Sequence, residues 1–255
     1  MYLKERMAAG HYLIGAGIFS NSPGLLEYAT GGMDWIWWEA QHTHPDWQMT
    51  ANGVRAANII GVPVLVRTWT HDPGTIERLL DTGAEGIIVP FVDTPEQAAK
   101  IVSHCYYPPV GCRSFGSLRM ERLEKSLDEW NRRIVTIMMI ETPEGVENAE
   151  AIAAVPGVDG LLVGARDLAL RRGDVADEHT AHAKIKDDLA HVVAACGKAG
   201  KAAGTVALTP DALAERVGEG YRLILAGFDV DHVEADYRRM REALAKIAAD
   251  AGVPH

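Results

Sequence analysis

The sequence predicts an α/β fold in the form of a (β/α)8 TIM barrel, built as a single domain over residues 1–255. Three observations predict it: eight short apolar runs spread over the whole chain, a helix-like stretch after each run, and a repeated signal where five of those stretches begin. Strict alternation of strand and helix means a parallel sheet covered by helices. The length of 255 residues matches the ~250 typical of a barrel. Eight units favour a closed barrel over an open doubly wound sheet, and no Gly-rich dinucleotide fingerprint follows the first run.

The runs are Leu13–Phe19, Asp34–Trp38, Pro63–Arg67, Gly86–Phe91, Ile134–Ile140, Gly160–Gly164, Ala202–Val206 and Leu223–Ala226. Each is nearly continuous in apolar character, as strands buried on both faces are. Ser22-Pro23, Asp72-Pro73, Thr94-Pro95, Thr142-Pro143 and Thr209-Pro210 each set an N-cap side chain before a proline. The cap oxygen accepts an orphan amide, and proline at the first helical position has no amide to orphan. Gln97 completes a capping box with Thr94. Gly32, Gly61, Gly83, Gly200 and Gly220 follow helices, where a left-handed C-cap residue belongs. The charged stretch Arg119–Arg133 reads as an elaboration of a top loop. The last helix, about 231–249, reads most simply as a solvated helix packed on the barrel.

Net charge −10 argues against a nucleic-acid partner, because phosphate backbones are bound through clustered Lys and Arg. No apolar run approaches a membrane span, and the N-terminus reads as no signal peptide. Cys105, Cys112 and Cys196 lack zinc-type spacing and read as thiols of a reducing compartment, which places the chain in the cytoplasm.

In a barrel of this kind the site lies at the C-terminal ends of the strands. The second run leads into Glu39-Ala40-Gln41-His42, the third ends in Arg67, and the fifth leads into Glu141. The sixth leads into Gly164-Ala165-Arg166-Asp167, and the eighth into Gly227 and Asp229. The remaining strands offer Ser20, Pro90 and Thr205. Glu141 and Asp167 fall on neighbouring strands, and their oxygens suit a hard cation such as Mg2+ or Mn2+. They also fit as caps of the helices that follow. Arg67 needs an anionic partner, which is either Glu39 or a ligand oxygen that carries charge in the transition state. His42 is either a loop histidine or a general acid/base. His42-Thr43-His44 has chelate-like spacing, although His44 reads as solvent-facing. His179 and His182, three apart, and Arg171-Arg172-Gly173-Asp174 read as solvated loop or helix. Trp35-Ile36-Trp37-Trp38 reads as strand packing, with one indole near enough to the mouth to line a pocket. None of the eight lysines lies in or just after an apolar run, so the top of the pocket has no lysine for a Schiff base, and if the chain is an aldolase it is a metal-dependent one.

Together these residues resemble the HpcH/HpaI aldolase family, the metal-dependent class II pyruvate aldolases. The resemblance runs from Leu3 to about Ala249. It is carried by Asp34-Trp35 with His42, Pro63 with Val66-Arg67, Asp72-Pro73 and Leu80-Asp81-Thr82-Gly83-Ala84. Ile88-Val89-Pro90, Tyr107-Pro108-Pro109 with Gly111, Arg113-Ser114 and Gly116 continue it, and Ile140-Glu141-Thr142 and Val158-Asp159-Gly160 with Gly164 and Asp167-Leu168 complete it.

The resemblance implies that Glu141 and Asp167 hold a divalent metal, Mg2+ or Mn2+ with Co2+ or Zn2+ as alternatives. It implies that Arg67 binds the pyruvyl oxygens and stabilises the enolate, and that His42 is the acid/base residue. Backbone amides around Arg166-Asp167 would receive the pyruvate carboxylate. The implied partners are pyruvate, or another 2-oxo acid, and an aldehyde, with the C-terminal helix exchanged in a homohexamer. The chain departs from the family pattern at Glu39, where Asp is usual, at Gln41, which replaces an acid, and at Ala165-Arg166, where Pro-x is usual. Glu39 and Arg166 therefore join the expected substrate-binding residues. Two other readings remain: a CoA-thioester lyase of the malyl-CoA or citramalyl-CoA type, which needs a long basic groove, and a catalytically altered barrel used for binding.

Overall fold

Strand and helix alternate through the described residues, 1–123, 126–173 and 183–253, of this computed structural model. A short helix α1 (Leu3–Ala8) precedes β1 (Leu13–Ile18), α2 (Pro23–Ala29), β2 (Trp35–Glu39), α3 (Trp47–Ile60), β3 (Val64–Arg67), α4 (Pro73–Asp81) and β4 (Gly86–Val89). Then come α5 (Pro95–Cys105), α6 (Leu118–Leu123), α7 (Leu127–Arg133), β5 (Val135–Ile140), α8 (Pro143–Glu147), α9 (Ala149–Ala153), β6 (Gly160–Val163) and α10 (Ala165–Arg171). The chain finishes with α11 (Lys186–Ala199), β7 (Ala202–Val206), α12 (Pro210–Gly218), β8 (Leu223–Phe228) and α13 (Asp229–Ala251). The strands close in sequence order into one barrel, and every neighbouring pair is parallel.

All five proline-led helices start where their sequence signal sits. Ser22, Asp72, Thr94, Thr142 and Thr209 each accept the backbone N–H three residues on. Each such cap stabilises its helix by about 1 kcal/mol. The five glycines expected after helices all have positive φ.

Side chains alternate between the barrel interior and the helix layer. Leu13, Trp35, Trp37, Leu65, Ile88, Val135, Ile137, Met139, Leu162, Leu223 and Leu225 pack inside. Ile36, Trp38, Val64 and Val66, one residue out of step, pack under the helices. Two bulky interior rings fit because β1 supplies no side chain opposite them. A Cβ on Gly15 would lie 2.3 Å from Trp35, and one on Gly17 would lie 2.2 Å from Phe228.

Leu3 and Met7 of α1 join the interior cluster and close the N-terminal end of the barrel. At that same end, Tyr2 bonds Glu129 of α7 and Lys4 bonds the Ile134 carbonyl. The described parts of the Arg119–Arg133 stretch, α6 and α7, therefore belong to the bottom of the barrel, and not to the top loop that the sequence suggests. The reason is their place in the chain: they follow α5 and lead into β5, so they form an αβ connection. The last helix corrects a second expectation. From Val230 to Ala251 every residue is exposed except the half-buried Ala245 and Ala248, so the helix projects from the barrel instead of lying on it. No helix among the described residues is long and apolar enough to cross a membrane.

Candidate active site

The interior alternation carries Trp35, Trp37 and Glu39 to one face of β2, with the carboxylate at the top. Glu39 is fully buried and stands in register with Arg67 on β3. One carboxylate oxygen, Oε2, accepts the Arg67 Nε–H at 2.6 Å and the Trp37 indole N–H at 3.0 Å. The other, Oε1, accepts the backbone N–H of Gln41 at 2.6 Å and of His42 at 2.9 Å. Glu39 is thus the anionic partner of Arg67, through the Nε edge. The guanidinium lies 5.1 Å over the Trp37 ring and lines the cavity at the barrel mouth.

Glu141 follows β5 on the interior face, and its carboxylate is buried. Its Oε2 accepts the Phe91 backbone N–H at 2.8 Å. Phe91 is held at φ 52°, a left-handed conformation rare for a bulky residue, and this turns its amide toward the carboxylate. Gly164, after β6, gives Glu141 its space, because a Cβ there would lie 2.5 Å from Oε1. Burial, and then the negative charge of Asp167, push the Glu141 carboxyl up to about 7, against the Phe91 hydrogen bond and the Arg67 and Arg171 charges, which lower it.

A buried carboxylate facing a second carboxylate is short of positive charge. Oxygen donors of this kind suit a hard divalent cation, so the pair fits the metal that the resemblance implies. Neither residue acts as the cap of its following helix: Thr142 caps α8, and the N-cap residue of α10, Gly164, has no side chain to offer. Among the described residues, no group of three or more His, Cys, Asp or Glu side chains gathers around a common centre.

His42, Arg67, Glu141, Arg166 and Asp167 all line one cavity of about 400 Å³. His42 is exposed at its edge, and Glu39 fixes its backbone rather than its imidazole. Arg166 is exposed, on the first turn of α10 beside Asp167. Among the described residues lining the cavity there is no lysine. His44 is exposed, as its sequence reading has it. His179, His182 and Asp174 lie outside the described residues.

Apart from Trp37, one of the indoles expected near the mouth, sequence reasoning missed the rest of the lining. Phe19, Trp37, Met139, Leu162, Val206 and Phe228 form an apolar wall beside the charged groups. The available signal was the Gly15-x-Gly17 spacing in β1, which leaves room on the interior face for large neighbours. The amide of Phe91 left no signal, because a backbone donor is set by φ and not by residue type.

A parallel barrel with a carboxylate pair, a clamped arginine and a histidine at its strand ends has the parts of a site for stabilising negative charge on oxygen. The model of the HpcH/HpaI aldolase/citrate lyase family matches residues 18–235. A hydroxypyruvate/pyruvate aldolase from Chromohalobacter salexigens is 36% identical over 208 residues, covering 79% of this chain and 81% of the relative. A 5-keto-4-deoxy-D-glucarate aldolase from Klebsiella pneumoniae is 31% identical over 255 residues, covering 95% and 96%. The crystal structure of an HpcH/HpaI aldolase from Desulfitobacterium hafniense superposes with a TM-score of 0.88 at 28% identity, covering 96% of each chain. The chain belongs to the HpcH/HpaI aldolase/citrate lyase family, whose members among these relatives are carbon–carbon lyases by name.

Proposed function

We propose that the protein is a divalent-metal-dependent aldolase that makes or breaks the bond between C3 of pyruvate and the carbonyl carbon of an aldehyde, acting on a 4-hydroxy-2-oxo acid. One observation carries the reading: Arg67, held by Glu39, shares a cavity with the Glu141–Asp167 pair. In cleavage, the C4 hydroxyl loses its proton, the C3–C4 bond breaks, and its electron pair moves onto the C2 oxygen as an enolate. Arg67 meets that oxygen with a fixed positive charge, already paid for in orientation by its bond to Glu39. His42, at the edge of the cavity, takes the C4 proton. The amides of Arg166 and Asp167 receive the pyruvate carboxylate. Glu141 and Asp167 would hold Mg2+ or Mn2+, which when bound polarises the 2-oxo group as a Lewis acid.

The test is exchange of the pyruvate C3 protons in D2O, followed by NMR, with Mg2+ or Mn2+ and then with EDTA. Exchange that needs the metal supports the reading. Exchange that persists in EDTA, or none with any metal, overturns it.

The same reading includes a homo-oligomer, a hexamer with exchanged C-terminal helices. Val230, Val233, Tyr237, Met240, Leu244 and Ile247 recur at intervals of three and four along α13 and are all 41–75% exposed. Such spacing forms one continuous apolar seam, and a second copy of this chain is the partner we propose for it. The three cysteines are free, which supports a cytoplasmic location.

A further inference from the structure

Resting on that reading of the site, we propose that the acceptor half of the cavity selects an aldehyde with an apolar chain, and that Phe19 and Phe228 set this choice. At about 400 Å³ the cavity falls within the ~300–1,000 Å³ of small-molecule sites and leaves space beyond a three-carbon donor. Its charges are gathered in one sector. Arg67 comes from β3, Glu141 from β5, and Arg166 and Asp167 from the turn after β6. Around the rest of the ring stand Val206 on β7, Phe228 on β8, Phe19 after β1 and Trp37 on β2, with His42 at the edge of the cavity after β2.

The aromatic wall is placed by a backbone irregularity. Gly15 pairs with Leu225, but Gly17 pairs with Phe228, so β8 carries one residue more than β1 across this step. Simple alternation from Leu223 and Leu225 would turn Gly227 inward. Gly227 instead takes φ 95°, and the side chain that enters the barrel is Phe228, over Gly17. Bulges re-aim side chains in this way. Phe228 then meets Phe19 edge to face at 5.2 Å and Trp37 at 5.7 Å. Both phenylalanines are half-buried and line the cavity, so the wall is formed before anything binds.

The carboxylate behind the wall, Asp229, is committed to its own neighbours. Asp229 accepts the backbone N–H groups of Phe19, Ser20 and Val230 and the Ser20 hydroxyl. A hydroxylated or charged chain laid against these rings gives up water without gaining a hydrogen-bond partner from the wall itself. An alkyl or phenyl chain gains the aromatic contact.

Aldol addition with pyruvate on the metal-loaded enzyme tests this with pairs matched in carbon number: butanal against succinic semialdehyde, and propanal against glyceraldehyde. The expected result is kcat/KM at least tenfold higher for the apolar member of each pair. Equal values overturn the inference. A preference for succinic semialdehyde also overturns it and assigns Arg166 to the acceptor. Phe19→Arg, which brings a cation to the wall, is expected to narrow the butanal preference at least threefold, and an unchanged ratio counts against the proposal. The pairs measured on the unaltered enzyme decide the matter if that variant does not fold. Pyruvate exchange in D2O separates the two levels. Exchange without an apolar preference removes only the acceptor assignment, whereas absent exchange removes the aldolase reading and this inference together.

Discussion

Glu39 holds the Nε edge of Arg67 at 2.6 Å, from the register-partner position on the neighbouring strand. The same carboxylate also binds two amides of the loop that carries His42. One buried group thus ties the proposed enolate-binding residue to the proposed acid/base residue. The Glu39 side chain spans the strand end, one oxygen on Arg67 and the other on the Gln41 and His42 amides.

The first prediction follows from that pair. Arg67→Ala leaves Glu39 buried without its guanidinium, and breaking such a pair costs about 3–5 kcal/mol. Arg67→Lys keeps a charge but loses the planar fork. Both variants are expected to lower pyruvate exchange by ~10²–10³, the scale of losing one charge-stabilising donor. Only Arg67→Ala is expected to show the full drop in melting temperature. Calorimetry beside the exchange assay checks both parts, and near-normal exchange in Arg67→Lys would count against a need for the guanidinium.

Gly164 gives the second. A Cβ at this position would sit 2.5 Å from the Glu141 oxygen and 2.9 Å from its carboxyl carbon. Gly164→Ala is therefore expected to push Glu141 out of place while leaving the apolar barrel interior as it is. The variant should retain its circular dichroism spectrum and lose at least tenfold in Mn2+ affinity by titration calorimetry. Unchanged affinity would separate Glu141 from the metal.

Much of this was legible in the sequence, for identifiable reasons. Strand and helix positions follow from apolar runs and from proline-led caps, both of which are local. Glu39, Arg67 and Glu141 could be placed at strand ends because Arg67 ends an apolar run and the other two directly follow one. The location of α6 and α7 was misread because charge content alone does not tell a βα loop from an αβ connection. Phe228 could not be read, since its inward turn depends on a bulge between β1 and β8. Nor could the full commitment of Glu39, whose four donors come from Trp37, Arg67 and two amides brought together only by the closed barrel.

The third prediction concerns pH and the metal-free protein. The Glu141 carboxyl is raised from its ordinary range to about 7, chiefly by burial. The native state therefore holds a proton that the unfolded chain gives up at lower pH. Its favourable contribution is full below the ordinary glutamate range and is lost as pH rises toward 7. Above that point, burying the charge costs on the order of 3 kcal/mol. Glu141→Gln removes this cost. In EDTA the variant should melt higher than the parent at pH 8 and close to it at pH 5, although it no longer catalyses exchange. A lower melting temperature at pH 8 would mean that the carboxylate is stabilised in the metal-free protein.

The fourth concerns α13. A helix with no tertiary partner is marginal in water, since most helical stability in proteins comes from packing an apolar face. Here Tyr237, Met240, Leu244 and Ile247 present that face to solvent on a single chain. Covering them adds about 1.5–3 kcal/mol for each large side chain fully buried, enough to drive association through this helix. Tyr237→Glu with Leu244→Glu places two charges in the seam, several turns from the barrel wall. Light scattering after size exclusion should then report a smaller assembly than the parent forms at the same concentration, with the barrel still folded by circular dichroism. An unchanged mass would mean that the seam is not what joins the subunits.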